Sequence, residues 1–168
     1  MMQTSQTVCR LFTHGVTSIA GRIDTANQIP HSASKPAASE ALAHEVAAFG
    51  VRVAIIEPGV IQTAILENSA AATRYDKTSP YRQIMRRNGK LFAAGFRNPG
   101  QPETVAAAIL EAITTDRPRL RYPVGVDAEG IAAWRARISD EEWVAMGGEV
   151  SDEEHNARFK RYFGIELR

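Results

Sequence analysis

The chain has 168 residues, 44% hydrophobic and 23% charged, which allows one ordinary domain with a single sizeable core. Twenty basic against nineteen acidic side chains leave a formal charge of +1, too weak a field to recruit nucleic acid or an anionic membrane. Cys9 is the only cysteine, which excludes an internal disulfide framework and a thiolate metal cluster; with no secretory leader pattern and no apolar run near the ~18–20 residues of a membrane span, a soluble cytoplasmic protein is expected.

Residues 1–15 show no period and are left unassigned: Leu11 and Phe12 look like the start of a strand that Thr13, His14 and Gly15 interrupt. Val16 to Gly21 reads as a strand end running into a small-residue turn, and loop signals continue through Asp24, Asn27 and Pro30. From Ser32 to Phe49 the pattern is helical, with Ala38, Leu42, Val46 and Phe49 at three- and four-residue steps, Pro36 in the first turns and Gly50 as the stop. Val51 to Glu57 then reads as a buried strand, closed by Pro58-Gly59. Helix, glycine and short apolar strand make one unit of a parallel α/β sheet.

The stretch from Thr63 to Pro99 reads as weak helices punctuated by Ser79-Pro80 and Gly95, long enough to be a lid or binding loop. Its Arg82, Arg86, Arg87 and Lys90 are expected to form a solvated basic face. Pro102 opens a helix whose stripe is Val105, Ala108, Ile109, Ala112 and Ile113. Arg119 to Val124 alternates like a strand, with Leu120 and Tyr122 on one face. In the tail, Ser-Asp-Glu-Glu occurs at 139–142 and 151–154, each copy fitting a capping box, while Trp134, Trp143, Phe159 and Phe163 are expected to pack on the core. The four histidines, at 14, 31, 44 and 155, have no metal-ligand spacing, so no metal site is expected.

The chemistry-bearing residues are Ser18, the run His31-Ser32-Ala33-Ser34-Lys35, and Pro58-Gly59-Val60-Ile61-Gln62-Thr63. Together with the helix, Gly50 and the strand 51–57, they resemble the short-chain dehydrogenase/reductase family. That family has a serine thirteen residues before a tyrosine, a lysine four residues after it, and a following strand that ends in Pro-Gly and a threonine; Ser18, position 31, Lys35, Pro58, Gly59 and Thr63 fall at those spacings. The resemblance is dense over 16–65, looser over 102–125 and extends into the tail.

The resemblance implies an α/β fold: a partial Rossmann-like, doubly wound parallel sheet, comprising the last three strands and their helices, over 16–125, with a helical C-terminal extension over 126–168. It implies an NAD(P)-dependent oxidoreductase acting on a small-molecule alcohol or ketone. Ser18, His31 and Lys35 would be the catalytic set, with Lys35 also on the nicotinamide ribose, and Pro58, Gly59, Ile61 and Thr63 would border the nicotinamide. On a continuous helix, Lys35 and position 31 would share one face, and a nearby ammonium favours the deprotonated form of its neighbour. Residues 64–99, among them Ile65, Leu66, Tyr75, Tyr81 and Met85, would form much of a moderately apolar substrate pocket.

Two departures shape the functional expectation. His31 stands where the family has tyrosine, and its outer nitrogen reaches roughly 2 Å less far than a phenol oxygen, whereas proton transfer needs heavy atoms within about 2.6–3.2 Å. Lys35 is expected to push that imidazole toward neutrality. The twelve glycines form no Gly-rich turn, so neither G-x-x-x-G-x-G nor G-x-G-x-x-G cradles a pyrophosphate. The expectation is therefore an oxidoreductase fragment that is inactive and binds NAD or NADP poorly as an isolated chain. Alternatives are a non-catalytic remnant or interaction subunit using the Ser32–Phe49 helix, a homo-oligomer, or a split enzyme completed by a separately encoded N-terminal half. The strand before Ser18 would then have an open edge, giving a marginal protein that aggregates or needs a partner.

Overall fold

The computed structural model describes residues 12–23, 28–65, 68, 76–148 and 150–167; Leu11, Asp24, Asn27, Leu66 and Tyr75 lie outside the described residues. Three parallel strands, β1 (Phe12–Val16), β2 (Arg52–Pro58) and β3 (Arg121–Val124), form one sheet in the order β1-β2-β3. Register runs from Phe12↔Arg52 to Val16↔Ile56 and from Ile55↔Arg121 to Pro58↔Val124. The expected α/β Rossmann-like arrangement is therefore present.

β1 corrects the sequence reading at its weakest point. Thr13, His14 and Gly15 do not interrupt the strand but form its middle, because the parallel ladder to β2 supplies the order that local propensity lacks. Gly15 fits close packing there: a Cβ would come within 3.0 Å of the Ser39 hydroxyl, so that side chain would have to give way.

The expected single helix over 32–49 is two helices. α1 (Ile29–Ala33) ends at Ser34, α2 (Pro36–Val46) begins with Pro36 in its first turn, and a 3-10 turn over Ala47–Phe49 stops at Gly50 with φ +69°. Proline has no N–H to continue the ladder and pushes the preceding residue out of the helical region, so Lys35 sits at φ −90°, ψ −95° between the helices. The expected apolar stripe of α2 is largely open: Ala38 and Leu42 are exposed, and Phe49 beyond it is 77% exposed.

α3 (Arg82–Phe96) is one continuous helix, and Gly95 does not punctuate it; a Cβ on Gly95 would overlap Val60, so the glycine allows close packing. α4 (Pro102–Thr114) covers one face of the sheet, where Val105, Ala108, Ile109 and Ala112 join Ala54, Ile56, Tyr122 and Val124. Ile113, at the end of the expected stripe, is 43% exposed, and Leu120, on the same side as Tyr122 and Val124 but ahead of β3, is 40% exposed.

The tail folds as α5 (Val126–Arg135), α6 (Asp140–Met146) and α7 (Asp152–Phe163). Ser139 and Glu142 make the complete capping box; Ser151 caps Glu154 N–H at 3.1 Å, but the Glu154 side chain turns to Arg158 instead. Phe159 and Phe163 are buried with Ile19, Ile131 and Met146, and Trp134 and Trp143 pack against them, so these aromatics build a second core beside that of the sheet. Among the described residues no helix is long and apolar enough to cross a membrane.

Candidate functional site

Parallel strands deliver their C-terminal ends to one edge, where open α/β sheets bind ligands. Thr17 follows β1 and is tied to β2: its N–H and hydroxyl both donate to Ile56 C=O, at 2.8 and 3.0 Å. Ser18 is thereby held at the same end of the sheet as Pro58 and Gly59. It caps the 3-10 turn Ile19–Gly21, its hydroxyl accepting from Ala20 N–H at 3.2 Å.

α1 packs on that turn and carries His31 beside it. His31 is exposed at the residue level, yet partial desolvation of its ring, followed by the positive charge of Lys35, lowers its pKa below 6.5. The expected push toward neutrality has the right sign, but burial is its larger cause. Lys35 reaches this space from the break between α1 and α2, not from the shared helix face that i,i+4 spacing suggests. Ser32, next to His31, is buried with its hydroxyl unpartnered, a feature the sequence did not flag.

The Pro58–Thr63 segment is clamped on two sides. Val60 N–H donates to the Asp127 carboxylate at 2.8 Å, and Gly59 N–H to Val124 C=O at 3.0 Å. Gly100 N–H donates to Val60 C=O at 2.8 Å while Gln62 N–H donates to Gly100 C=O at 2.9 Å, forming an isolated parallel bridge at Ile61. That pattern uses the groups flanking Ile61 and directs its own N–H and C=O away from Gly100. Ile61 is half-buried and Thr63 exposed. Asp127 and Gly100 are the positioning residues that sequence reasoning missed; the available signal was Gly125-Val126-Asp127 opening a helix immediately after a strand.

Behind this end of the sheet lies a buried ion network. Glu57 is fully buried; Arg22 meets it with Nε 3.1 Å from Oε1 and Nη2 2.7 Å from Oε2, and Arg121 bridges it to Glu40. For Arg121, burial opposes the charge, but hydrogen bonds to Glu40 and Glu57 outweigh it and raise the pKa above the ordinary guanidinium value. A buried carboxylate persists only when so paired, and this pairing fixes the turn after Ser18 to the strand before Pro58.

The expected basic face of α3 is only partly solvated, because Arg87 is buried and bonded to Asp152 and Val150 C=O. Ile65 and Tyr81, expected in a substrate pocket, are exposed. Among the described residues no group of three or more His, Cys, Asp or Glu side chains could hold a metal.

Residues 15–74 match the sequence profile described as short chain dehydrogenase. The chain is 30% identical over 139 residues to an oxidoreductase of Botryotinia fuckeliana, covering 76% of this chain and 48% of that protein. It is 31% identical to a 3-ketodihydrosphingosine reductase of Bacteroides thetaiotaomicron, covering 66% of this chain and 42% of that one. Among solved structures, a short-chain dehydrogenase from Streptomyces avermitilis superposes with a TM-score of 0.58 at 30% identity, over 81% of this chain and 52% of that one. A short chain dehydrogenase from Burkholderia cenocepacia in complex with NADP shares the fold, with a TM-score of 0.53 at 22% identity, over 83% of this chain and 48% of that one. The chain thus spans less than half the length of these curated relatives.

Proposed function

Because the chain belongs to the short-chain dehydrogenase family, we propose that it carries the alcohol side and nicotinamide side of an NAD(P)-dependent oxidoreductase site, and that residues outside these 168 grip the coenzyme phosphates. The observation that supports this reading is the shared sheet end: Thr17, bonded to Ile56, sets Ser18 beside the Pro58–Thr63 segment, and α1 brings His31 onto the same turn.

The residues fit the nicotinamide end of a coenzyme and not its phosphate end. Ile61 backbone groups, directed away from the Gly100 bridge, are suited to a carboxamide, with the exposed Thr63 hydroxyl two residues on. No Gly-rich turn exists in the sequence to receive a pyrophosphate. When bound, the coenzyme supplies or accepts a hydride. In this chain Ser18 Oγ holds the substrate oxygen, Lys35 engages the ribose and supplies positive charge, and Pro58 and Gly59 form the wall of the nicotinamide space. His31, kept neutral at pH 7, accepts a proton from an alcohol more readily than it donates one to a ketone. Its shorter reach leaves the isolated chain without turnover. NMR titration with nicotinamide mononucleotide tests the nicotinamide site: the Ile61 and Thr63 amides are expected to shift, and unmoved amides at saturating ligand would contradict the assignment.

A second reading, an interaction subunit, draws on α2: Ala38, Leu42 and Phe49 offer apolar surface to a second copy of the chain. Light scattering of the wild type and Leu42→Lys separates the two, since only an α2-mediated dimer would be dispersed by the charge.

A further inference from the structure

Away from the sheet end, α3, α6 and α7 line a partly open cavity of about 180 Å³. Its walls are Ile84, Leu91, Trp143, Met146, Phe159 and Leu167, and no residue of the Ser18–His31–Lys35 or 58–63 set lines it. An apolar cavity of about 150 Å³ holds a benzene ring, so this one admits a single ring with a small substituent. The ring environment is aromatic, with Trp143 edge-on to Phe163 and Phe159 tilted against the same ring.

Its polar side has a definite chemistry. The 7% exposed Arg87 lies in the lining, with Nε 3.2 Å from Asp152 Oδ1 and Nη2 2.6 Å from Val150 C=O. Arg86 pairs with the same Asp152, so two guanidiniums share one carboxylate and leave a positive charge in excess. His155 also lines the cavity; its buried Nδ1 makes no hydrogen bond of good geometry, the ring lying near the Met146 carbonyl. A buried polar atom is costly unless a partner, ligand or water meets it.

We infer that this cavity binds a monocyclic aromatic carboxylate, the ring packing against Trp143 and Phe159 and the carboxylate meeting Arg87 and His155. The cavity shares no residue with the Ser18–His31–Lys35 or 58–63 set, although Ile84, Arg87 and Leu91 belong to the 64–99 segment expected to border the substrate. Desolvation, with Arg87 next, lowers the His155 pKa and favours the neutral ring, which donates to a carboxylate only in the tautomer with its proton on Nδ1, while Arg87 supplies the charge.

Benzoate, with benzyl alcohol as the neutral control, tests this on the whole chain. Benzoate is expected to shift the indole N–H resonance of Trp143 in a saturable manner, with a Kd below about 1 mM, and to leave Trp134 little changed. Benzyl alcohol is expected to bind at least ~10-fold more weakly, since it carries no charge for Arg87. Leu91→Trp, which fills the cavity, is expected to abolish the benzoate response while the circular dichroism stays native. Absence of a saturable Trp143 shift, equal binding of the alcohol, or a response that survives in folded Leu91→Trp would overturn the inference. Should Leu91→Trp unfold, the wild-type comparison of Trp143 with Trp134 and of acid with alcohol decides it alone.

Discussion

The Asp127 carboxylate accepts the Val60 amide at 2.8 Å and fills the space beside Gly59, so the first turn of α5 locks the chain just after β2. A side chain at 59 would overlap that carboxylate, and Gly125, with φ +105°, provides the turn from which Asp127 reaches back.

Gly59→Ala is therefore expected to destabilise the fold by about 1–3 kcal/mol, as overpacking does. In a domain of this size each kcal/mol lowers Tm by about 2–4 °C. Asp127→Ala removes the clash together with the hydrogen bond, so the double variant should lose less than the sum of the two single losses. Additive losses in thermal unfolding would show that the two positions do not touch.

Glu57 is the second point of dependence. Removing its charge in Glu57→Gln leaves Arg22 and Arg121 facing a neutral amide in a buried site, and breaking such a pair costs about 3–5 kcal/mol. Urea unfolding is expected to show that loss. A change below about 0.5 kcal/mol, ordinary for a surface substitution, would place Glu57 outside the structural framework.

His31 gives a pH signature with a fixed sign. Its folded-state pKa lies below 6.5, so between that value and 6.5 the unfolded chain binds more protons and stability falls as pH is lowered through the window. Lys35→Gln should raise the His31 pKa while leaving it below 6.5, because desolvation is the larger cause. NMR titration of the His31 ring checks both statements, and an unmoved pKa in the variant would remove Lys35 from its surroundings.

Replacing His31 by tyrosine tests the reach argument. When the first half of a complete family member is supplied in trans, His31→Tyr is expected to raise alcohol oxidation at least ~100-fold over the wild-type pairing, the scale of a displacement of about 1 Å. Equal turnover by both pairings would mean that position 31 does not limit the chemistry.

Much of this was legible in sequence because it was local and periodic: strand β2 between Gly50 and Pro58, helix α4 behind Pro102, and the Ser139 cap with Glu142 all follow from residues a few positions apart. β1 was not, since Gly15 and His14 give no strand signal and the segment is ordered by a partner some forty residues away. The break at Lys35 was half-legible, as Pro36 announced a helix start while the alanines around it suggested continuity. Asp127 and the Arg22–Glu57–Arg121 network join residues 35 to 67 positions apart, a distance that no periodicity encodes. Glu57 nonetheless left a trace, because a carboxylate within a buried strand requires cations from elsewhere.

The division of the coenzyme site is tested most directly by comparing NADH with reduced nicotinamide mononucleotide in binding to the purified chain. If these residues hold only the nicotinamide end, the adenosine and second phosphate of NADH gain little, and the two affinities should agree within about 10-fold, or roughly 1.4 kcal/mol. Micromolar binding of NADH, tighter than the mononucleotide by ~100-fold or more, would place a phosphate cradle within this chain and contradict the account.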